Sequence, residues 1–286
     1  MTAWAVEVEA RFGSYRFDLR MSRVLHHSVG EHQEMLLFEN DLFGRVLMLD
    51  GVVQTTERDE FFYHEMLVHV PCFAHGGVER ALIIGGGDGG ALEELLKHES
   101  LRHVTMVEID EGVVEFSKEH LRSICAEAFE DPRLELVIAD GAAWVAATEQ
   151  RFDLIIVDST DPSESGPSAV LFTTDFYRNC ANVLNGGGLL VSQNSLPFSE
   201  AQALVGPFAR IREAFSGASC YRVPVPSYIG GEMVMVLAAK DGALPDPVGK
   251  PLASRFAAAG FETRYYTPDV HRGAFALPPY VTDLLD

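Results

Sequence analysis

Residues 83–90 read IIGGGDGG, and this stretch decides the fold. Gly85, Gly87 and Gly90 fit the pattern G-x-G-x-x-G, which joins the first strand of a dinucleotide-binding α/β unit to its helix. Such a turn usually cradles a pyrophosphate. Asp88, however, places a negative charge inside the turn, where it would repel a phosphate. The stretch therefore predicts the fold and, at the same time, a ligand with no phosphate at this position.

Apolar runs of strand length recur on both sides of the motif and alternate with helical stretches. Strands that are apolar on both faces and alternate with helices indicate a parallel, doubly wound α/β sheet. The predicted strands cover residues 81–85, 103–110, 134–140, 153–159 and 188–194.

The N-terminal part has a different pattern. Residues 14–56 alternate short β-rich runs with turn signals, which predicts a small antiparallel β unit. A helix should follow from Asp59, and Pro71 should bend or end it. We predict an N-terminal β-strand domain over residues 1–66 and a Rossmann-like catalytic domain over residues 67–286. In its tail we expect a helix near 199–215, two strand-like runs and a helix near 251–259.

Composition narrows the partners. Acidic residues outnumber basic ones by 42 to 22, giving a net charge of −20, so nucleic acid and anionic membranes are poor partners and small cations are attracted. Solubility alone is the alternative explanation of this charge. No apolar run approaches the length of a membrane span, and the four cysteines lack the spacing of a metal site. We expect a cytoplasmic protein with buried free thiols and no bound metal.

Acidic residues stand at the carboxyl ends of the predicted strands, where ligands bind in open α/β sheets. The alternative is that each of them caps the helix that follows. They are Asp88, Glu108, Asp110, Asp140, Asp158 and Asp161.

Two of these acids indicate an adenosine ligand. Glu108 follows Gly90 by 18 residues, close to the spacing at which an acid binds both ribose hydroxyls. Asp140 is followed by Gly141, so a carboxylate there can accept from the adenine amino group while the backbone approaches closely. This spacing does not separate NAD from S-adenosyl ligands.

Asp88 discriminates between the candidate adenosine ligands. NAD would bring a pyrophosphate to this turn, and S-adenosylmethionine would bring a carboxylate. At an effective dielectric near 20, two like charges about 4 Å apart cost on the order of 4 kcal/mol, roughly a thousandfold in affinity. Decarboxylated S-adenosylmethionine instead carries a propylamine tail, which Asp88 would attract.

Asp158 and Asp161 form a second pair of carboxylates, three residues apart, and suit a diamine. One acid would hold an ammonium group while the other accepts a proton from the attacking amine, which is almost wholly protonated at neutral pH. Tyr63, Gln193 and Tyr228 are candidates to line this site. The alternative for Asp161, which precedes Pro162, is a plain turn.

The motifs together resemble those of spermidine synthases, the aminopropyltransferases, and most closely the bacterial ones. The resemblance covers nearly the whole chain from about residue 12. It rests on DGVVQTTERDEFFYHEM (50–66), IIGGGDGG (83–90), VEID (107–110), DG (140–141), DSTDP (158–162), SQN (192–194), PSYIGGEM (226–233) and RYYTPDVHRGAFALPPY (264–280).

The resemblance implies an N-terminal β domain on a Rossmann-like, methyltransferase-type domain, in a homodimer or homotetramer. It implies that Asp158 is the proton acceptor, helped by Tyr63. The donor would be held by Gln33, Asp88, Glu108, Asp140, Gly141 and Pro167. The acceptor would be held by His64, Asp161, Gln193 and Tyr228.

The chain departs from the family pattern in two places. The segment 163–172 is about two residues longer than usual and carries Glu164, and we expect it to be a loose lid that closes over the ligands. Its extra length leaves the choice of Pro167 as the adenosine contact open. Glu232 stands where the family tends to have an apolar residue, and the sequence gives no reason for it.

The expected reaction is transfer of the aminopropyl group of decarboxylated S-adenosylmethionine to putrescine, without a cofactor. The products would be spermidine and 5′-methylthioadenosine. Agmatine, cadaverine or spermidine remain possible acceptors. An S-adenosylmethionine-dependent methyltransferase and a non-catalytic polyamine-binding protein are the alternatives of a different class.

Overall fold

The computed structural model describes residues 3–6, 17–30, 33–160, 167–245 and 251–285. These residues form two small antiparallel sheets and one large mixed sheet covered by helices. The predicted α/β fold with a small N-terminal antiparallel β unit is confirmed.

The N-terminal sheets are antiparallel throughout. The first pairs β1 (Ala3–Val6) with β2 (Asp18–Met21). The second is a meander of β3 (Arg23–Val29), β4 (Glu34–Asn40), β5 (Gly44–Leu49) and β6 (Val52–Thr56). Apolar residues of β4 and β5 form a core with Val113 and Phe116, which belong to a helix of the large domain. This contact fixes the meander beside the large sheet.

The large sheet has seven strands in the order β12-β13-β11-β10-β7-β8-β9. Five are parallel: β7 (Arg80–Gly85), β8 (His103–Glu108), β9 (Leu134–Ile138), β10 (Phe152–Asp158) and β11 (Leu184–Gln193). The strand order reverses between β7 and β10, the position at which doubly wound sheets bind ligands.

The last two strands differ from a purely parallel arrangement. β12 (Gly217–Pro224) and β13 (Glu232–Ala239) pair with each other and with β11 in antiparallel fashion. A short connection joins them, too short for the crossover that a parallel pair would need. The sheet is therefore mixed at this edge.

Helices cover both faces of the sheet, because alternate residues of each strand face two separate cores. Ile83 and Ile156 belong to one core, and Leu82 and Ile155 to the other. The helices are α1 (Glu60–His75), α2 (Gly90–Leu96), α3 (Glu111–His120), α4 (Arg122–Cys125), α5 (Gly141–Ala147), α6 (Thr174–Val183), α7 (Ala201–Ala214), α8 (Pro251–Ala259), α9 (Pro268–Ala274) and α10 (Pro279–Leu285).

The expectation that Pro71 bends or ends the first helix is wrong as to its end. Helix α1 continues through Pro71 to His75 and stops at Gly76, whose φ of 80° is left-handed. The helix is buried on both sides of Pro71, from Val70 to Phe73. Packing on both sides thus compensates for the one hydrogen bond that proline cannot donate.

Two further expectations concern the cysteines and membrane spans. The four cysteines, Cys72, Cys125, Cys180 and Cys220, are buried and free, as predicted. No helix in the described part of the chain has the length and apolar character needed to cross a membrane.

The C-terminal segment is anchored to α1 by one buried carboxylate. Glu65 is 1% exposed and accepts hydrogen bonds from the backbone amides of Arg264, Tyr265 and Tyr266 at 2.6, 2.8 and 2.6 Å. Replacement by Gln would turn an amide donor toward these amides and leave buried groups unpaired.

We predict that Glu65→Gln lowers the free energy of unfolding by about 2–4 kcal/mol, measured by urea denaturation at pH 7.5. The matched control is Glu119→Gln, because the Glu119 side chain is 76% exposed; its change should stay within about 0.5 kcal/mol. Equal effects of the two substitutions would show that Glu65 is not an anchor.

Candidate active site

The glycine turn is shaped by the close approach of β7 and β10. Gly85 has a φ of 83°, and a Cβ atom there would lie 2.1 Å from the carbonyl oxygen of Asp158. The amide of Gly86 donates to that same oxygen at 2.8 Å. These contacts hold the backbone of Asp158 beside the turn that carries Asp88.

The last glycine of the motif makes room for an imidazole ring. A Cβ atom at Gly90 would lie 2.2 Å from His64 Cε1, so only glycine fits. Asp88 accepts from the amide of Gly90 at 3.0 Å. The His64 ring and the Asp88 carboxylate therefore lie against the start of α2, where dinucleotide-binding turns place a pyrophosphate.

His64 links the turn to the start of α1. Its Nδ1 lies 2.9 Å from Glu60 Oε2, and its Nε2 lies 3.3 Å from Asp88 Oδ2. Burial alone would lower the pKa of His64, but Asp88 and Glu60 raise it well above the usual value. Burial also opposes ionisation of Asp88, but His64 and the Gly90 amide hold its pKa below the usual range.

Asp158 lies on the other side of the turn and contacts α1 through Tyr63. The Tyr63 hydroxyl donates to Asp158 Oδ1 at 2.6 Å. Burial, and then the negative charge of Asp88, raise the pKa of Asp158 to about 6, against the opposing effects of His64 and Tyr63. Burial and the Asp158 charge raise the pKa of Tyr63 well above 10, so its hydroxyl stays a donor.

The residues predicted to bind adenosine surround the next strand ends. Glu108 is 8% exposed and accepts from the Asp110 amide at 2.9 Å. Burial raises its pKa to about 6, although backbone amides oppose this. Gln33 donates to Asp110 Oδ2 at 3.0 Å, which joins the N-terminal meander to this side.

Two of the strand-end acids also act as helix caps, as the structural alternative predicted. Asp110 caps α3 by accepting from Gly112, and Asp140 caps α5 by accepting from Ala143. Gly141 is confined by Ile84, whose Cγ2 atom would lie 2.6 Å from a Cβ atom. Capping and ligand binding are compatible, because a carboxylate has several acceptor positions.

Of the residues predicted to hold the acceptor, His64 pairs with Asp88, while Gln193 and Tyr228 bind backbone carbonyls elsewhere on the cavity wall. Gln193 donates to the carbonyl of Ser159 at 2.7 Å, and Tyr228 donates to the carbonyl of Gln54 at 2.7 Å. The Tyr63 and Tyr228 rings lie 6.2 Å apart. Asp161 lies outside the described residues.

The longer loop is only partly described. Residues 163–166, including Glu164, lie outside the described part. Residues Pro167–Phe172 form a 3₁₀ helix in which Leu171 and Phe172 are buried. This half therefore has more regular structure than its composition suggests, because its apolar residues enter the core. The loose lid stays a prediction, as does Pro167 as a contact.

All these elements enclose one cavity of about 310 Å³. Among its described lining residues there are five carboxylates and no lysine or arginine. The carboxylates are those of Asp50, Asp88, Glu108, Asp140 and Asp158. The predicted site residues on its wall are Gln33, Tyr63, His64, Asp88, Glu108, Asp140, Gly141, Asp158, Gln193 and Tyr228.

Glu60, which lies beside His64 on α1, was not predicted from the sequence. The available signal was the i, i+4 spacing of the two residues on α1. Glu232 also finds an explanation: its carboxylate lies 3.4 Å from Arg222 and accepts from the Tyr280 hydroxyl at 3.2 Å. It links β13 to β12 and α10, away from the cavity wall.

The cluster at the centre consists of residue types that can ligate a metal. His64, Asp88 and Asp158 place one ligand-type atom each within 4.8 Å of one another. Both His64 nitrogens, however, lie within 2.9 and 3.3 Å of carboxylate oxygens, and hydrogen bonds at these nitrogens would compete with a metal for the ring. The three groups form an ion-paired cluster that suits an organic cation.

Two family models match the chain. The spermine/spermidine synthase domain matches residues 60–246, and the spermidine synthase tetramerisation domain matches residues 3–57. The chain belongs to the spermine/spermidine synthase family. The predicted family is confirmed.

Relatives and solved structures of this family agree over nearly the full length. A polyamine aminopropyltransferase of Pectobacterium carotovorum is 48% identical over 99% of this chain and 96% of its own. One of Ruegeria sp. is 49% identical over 99% of both chains. A spermidine synthase in complex with the transition state analogue AdoDATO superimposes with a TM-score of 0.93 at 36% identity, covering 99% of this chain and 94% of that one.

Spermidine synthase from Thermotoga maritima superimposes with a TM-score of 0.91, also at 36% identity and with the same coverage of both chains. The Rossmann-like, methyltransferase-type core is thus the fold of the family. The chain is an enzyme of the polyamine aminopropyltransferase class.

The pKa of Asp158 gives a prediction for the ligand-free enzyme. Folding raises this pKa from 3.8 to about 6, so the protonated form favours the folded state. That stability is fully present below the unfolded pKa and is lost as the pH rises through about 6. At pH 7.5, Asp158→Asn should therefore raise the free energy of unfolding by about 3 kcal/mol, and the gain should vanish toward pH 4.

Asp153, on the same strand, is the control of opposite sign. Burial opposes its ionisation, but hydrogen bonds from Asn185 and two backbone amides lower its pKa. Asp153→Asn should destabilise the enzyme at pH 7.5, and the loss should fade as the pH falls through the pKa of the folded state. If Asp158→Asn were less stable than the wild type at pH 7.5, the raised pKa of Asp158 would be contradicted.

Proposed function

We propose that this enzyme transfers the aminopropyl group of decarboxylated S-adenosylmethionine to putrescine, giving spermidine and 5′-methylthioadenosine. The single observation that carries the proposal is the charge of the cavity wall. Five carboxylates and no lysine or arginine line its described part, and two of the carboxylates, Asp88 and Asp158, meet at the strand reversal. Such a cavity favours two cationic substrates and opposes an anionic one.

The donor would lie along the ends of β7, β8 and β9. Glu108 would bind the ribose hydroxyls, Asp140 the adenine amino group, and Gly141 would let the ring approach the backbone. Gln33 would close this side from the N-terminal meander. Pro167 stays a candidate contact. Asp88 would attract the ammonium of the propylamine tail, which brings the sulfonium carbon between Asp88 and Asp158.

The acceptor would enter between Tyr63, Gln193 and Tyr228, with Asp161 and His64 as further candidates. Asp158 would accept the proton of the attacking amine. Its raised pKa of about 6 makes it a stronger base than an ordinary carboxylate while it remains ionised at pH 7.5. Tyr63, by donating to Oδ1, fixes the direction in which the carboxylate faces.

Displacement at a sulfonium carbon needs neither a metal nor a redox cofactor, because the thioether is already a good leaving group. The remaining requirement is to bring two cations together in line. Fixed carboxylates meet it by orientation and by cancelling the repulsion between the substrates.

The other candidate functions are less compatible with the geometry. The carboxylate of S-adenosylmethionine would face Asp88, which opposes a methyltransferase. A binding protein without turnover would not need the Tyr63–Asp158 pair. We also propose a homodimeric or homotetrameric cytoplasmic enzyme, supported by the tetramerisation-domain match and the free buried cysteines.

The experiment that tests the proposal is product analysis. The enzyme is incubated with decarboxylated S-adenosylmethionine and an equal mixture of putrescine, cadaverine, agmatine and spermidine, and the amines are separated by mass spectrometry. Spermidine should dominate, with one equivalent of 5′-methylthioadenosine. A different main product would correct the acceptor, and transfer of a methyl group from S-adenosylmethionine would contradict the proposal.

We predict that Asp158→Asn lowers kcat by roughly 10²–10⁴ while 5′-methylthioadenosine binds almost as in the wild type. The reason is that Asn keeps the Tyr63 hydrogen bond but cannot accept the proton. Initial rates and calorimetry at pH 7.5 measure the two quantities, with Asp175→Asn on the exposed side of α6 as the control. Near-normal turnover of Asp158→Asn would place the base elsewhere.

A further inference from the structure

The charge on His64 follows from the two carboxylates that flank its ring. His64 is 2% exposed, and Glu60 and Asp88 lie 2.9 and 3.3 Å from its two nitrogens. A carboxylate only accepts hydrogen bonds, so both nitrogens must carry hydrogen, and a ring with two N–H groups is an imidazolium. In the ligand-free enzyme the positive partner of Asp88 is therefore a protein group.

The described groups that face His64 come from every element packed around it. On α1 they are Glu60 and Tyr63, whose ring centroid lies 5.2 Å from that of His64. The turn after β7 contributes Asp88, and the end of β10 contributes Asp158. Arg264 from the C-terminal segment lies 3.6 Å from Glu60 Oε1, on the far side of that carboxylate. Burial lowers the pKa of His64, and the two flanking carboxylates outweigh it.

We propose that His64 is an exchangeable counter-ion of Asp88, which gives up its Nε2 proton to solvent when a substrate ammonium binds Asp88. The inference rests on the proposed function, since it takes the propylammonium of the donor as that cation. One N–H bond breaks, the proton goes to water or buffer, and no bond to the substrate forms. Neutral His64 keeps its Nδ1 hydrogen on Glu60 and offers the Nε2 lone pair to the ammonium. Glu60 is thus a positioning residue that selects the tautomer.

Two costs decide between exchange and coexistence of the two cations. An ammonium about 4 Å from a retained imidazolium loses roughly a thousandfold in affinity at an effective dielectric near 20. Removing the proton costs about tenfold for each unit by which the pKa of His64 exceeds the pH. Deprotonation is therefore the smaller cost as long as the pKa of His64 exceeds the pH by less than about three units, and under that condition the donor binds with release of a proton.

The test measures the charge of His64 and the proton release separately. Ring ¹⁵N and ¹³C resonances of His64, titrated in the ligand-free enzyme, should show an imidazolium at pH 7.5 and give its pKa. The second measurement is calorimetry of decarboxylated S-adenosylmethionine at pH 7.5 to 8.5, in buffers of different ionisation enthalpy. The number of protons released per donor bound should equal the fraction of His64 that is protonated at that pH. Asp158 contributes little there, because its pKa is about 6. The affinity should rise up to about tenfold per pH unit while His64 is protonated.

Matched ligands and variants separate this role from a structural one. 5′-Methylthioadenosine shares the adenosine part and lacks the ammonium, so it should release no proton. His64→Gln should abolish release of a proton by the donor, and Glu60→Gln should lower the pKa of His64 and reduce the release at a given pH. His103→Gln, at the opposite end of β8, removes another histidine paired with a carboxylate, Glu135, and should change nothing.

Three results would overturn the inference: a neutral His64 in the ligand-free enzyme at pH 7.5, equal proton release by the donor and by 5′-methylthioadenosine, or full release in His64→Gln. Failure of the donor to bind would contradict the proposed function, and the resonance titration would still decide the resting charge of His64.

Discussion

The carboxyl ends of β7 and β10 approach so closely that only glycine fits at position 85, and the rest of the site depends on this contact. The Gly86 amide donates to the Asp158 carbonyl, which fixes one buried carboxylate beside the turn that carries another, Asp88. Two such acids in a buried place need positive charge. Two residues of helix α1 contact these acids. His64 pairs with Asp88, and the Tyr63 hydroxyl donates to Asp158. The geometry of a dinucleotide turn is thus retained, and our proposal is that its ligand preference is reversed, from anion to cation.

The two acids are held in different states although they share one site. Asp88 is flanked by His64 and the Gly90 amide, and its pKa is lowered. Asp158 has a hydroxyl as its hydrogen-bond partner, and burial raises its pKa to about 6. Environments that shift the pKa values of two neighbouring acids in opposite directions are typical of pairs with separate roles, one for binding and one for proton transfer. Burial of these charges lowers the stability of the free enzyme, and binding of the proposed cationic substrates would offset this cost.

The sequence predicted the turn, the strand ends and the acids on them, because parallel strands bring their carboxyl ends to one edge whatever the loops between them do. It did not predict the partners that depend on packing. The i, i+4 spacing makes Glu60 and His64 neighbours on α1, but their contact with Asp88 depends on how α1 packs against the sheet. Tyr280 reaches Glu232 across 48 residues of sequence. Pro71 fails to end its helix because burial on both sides outweighs one missing hydrogen bond. The connection between β12 and β13 is too short for a crossover, and its length therefore makes the two strands antiparallel.

The most direct test of the account is the affinity of the wild-type enzyme for decarboxylated S-adenosylmethionine relative to S-adenosylmethionine, measured by calorimetry under one set of conditions and repeated with Asp88→Asn. If the charge of Asp88 determines which adenosine ligand is accepted, the wild type binds the decarboxylated form roughly a thousandfold more tightly, and most of this preference is lost in Asp88→Asn. Similar affinities for the two ligands in the wild type, or an unchanged ratio in the variant, would contradict the account.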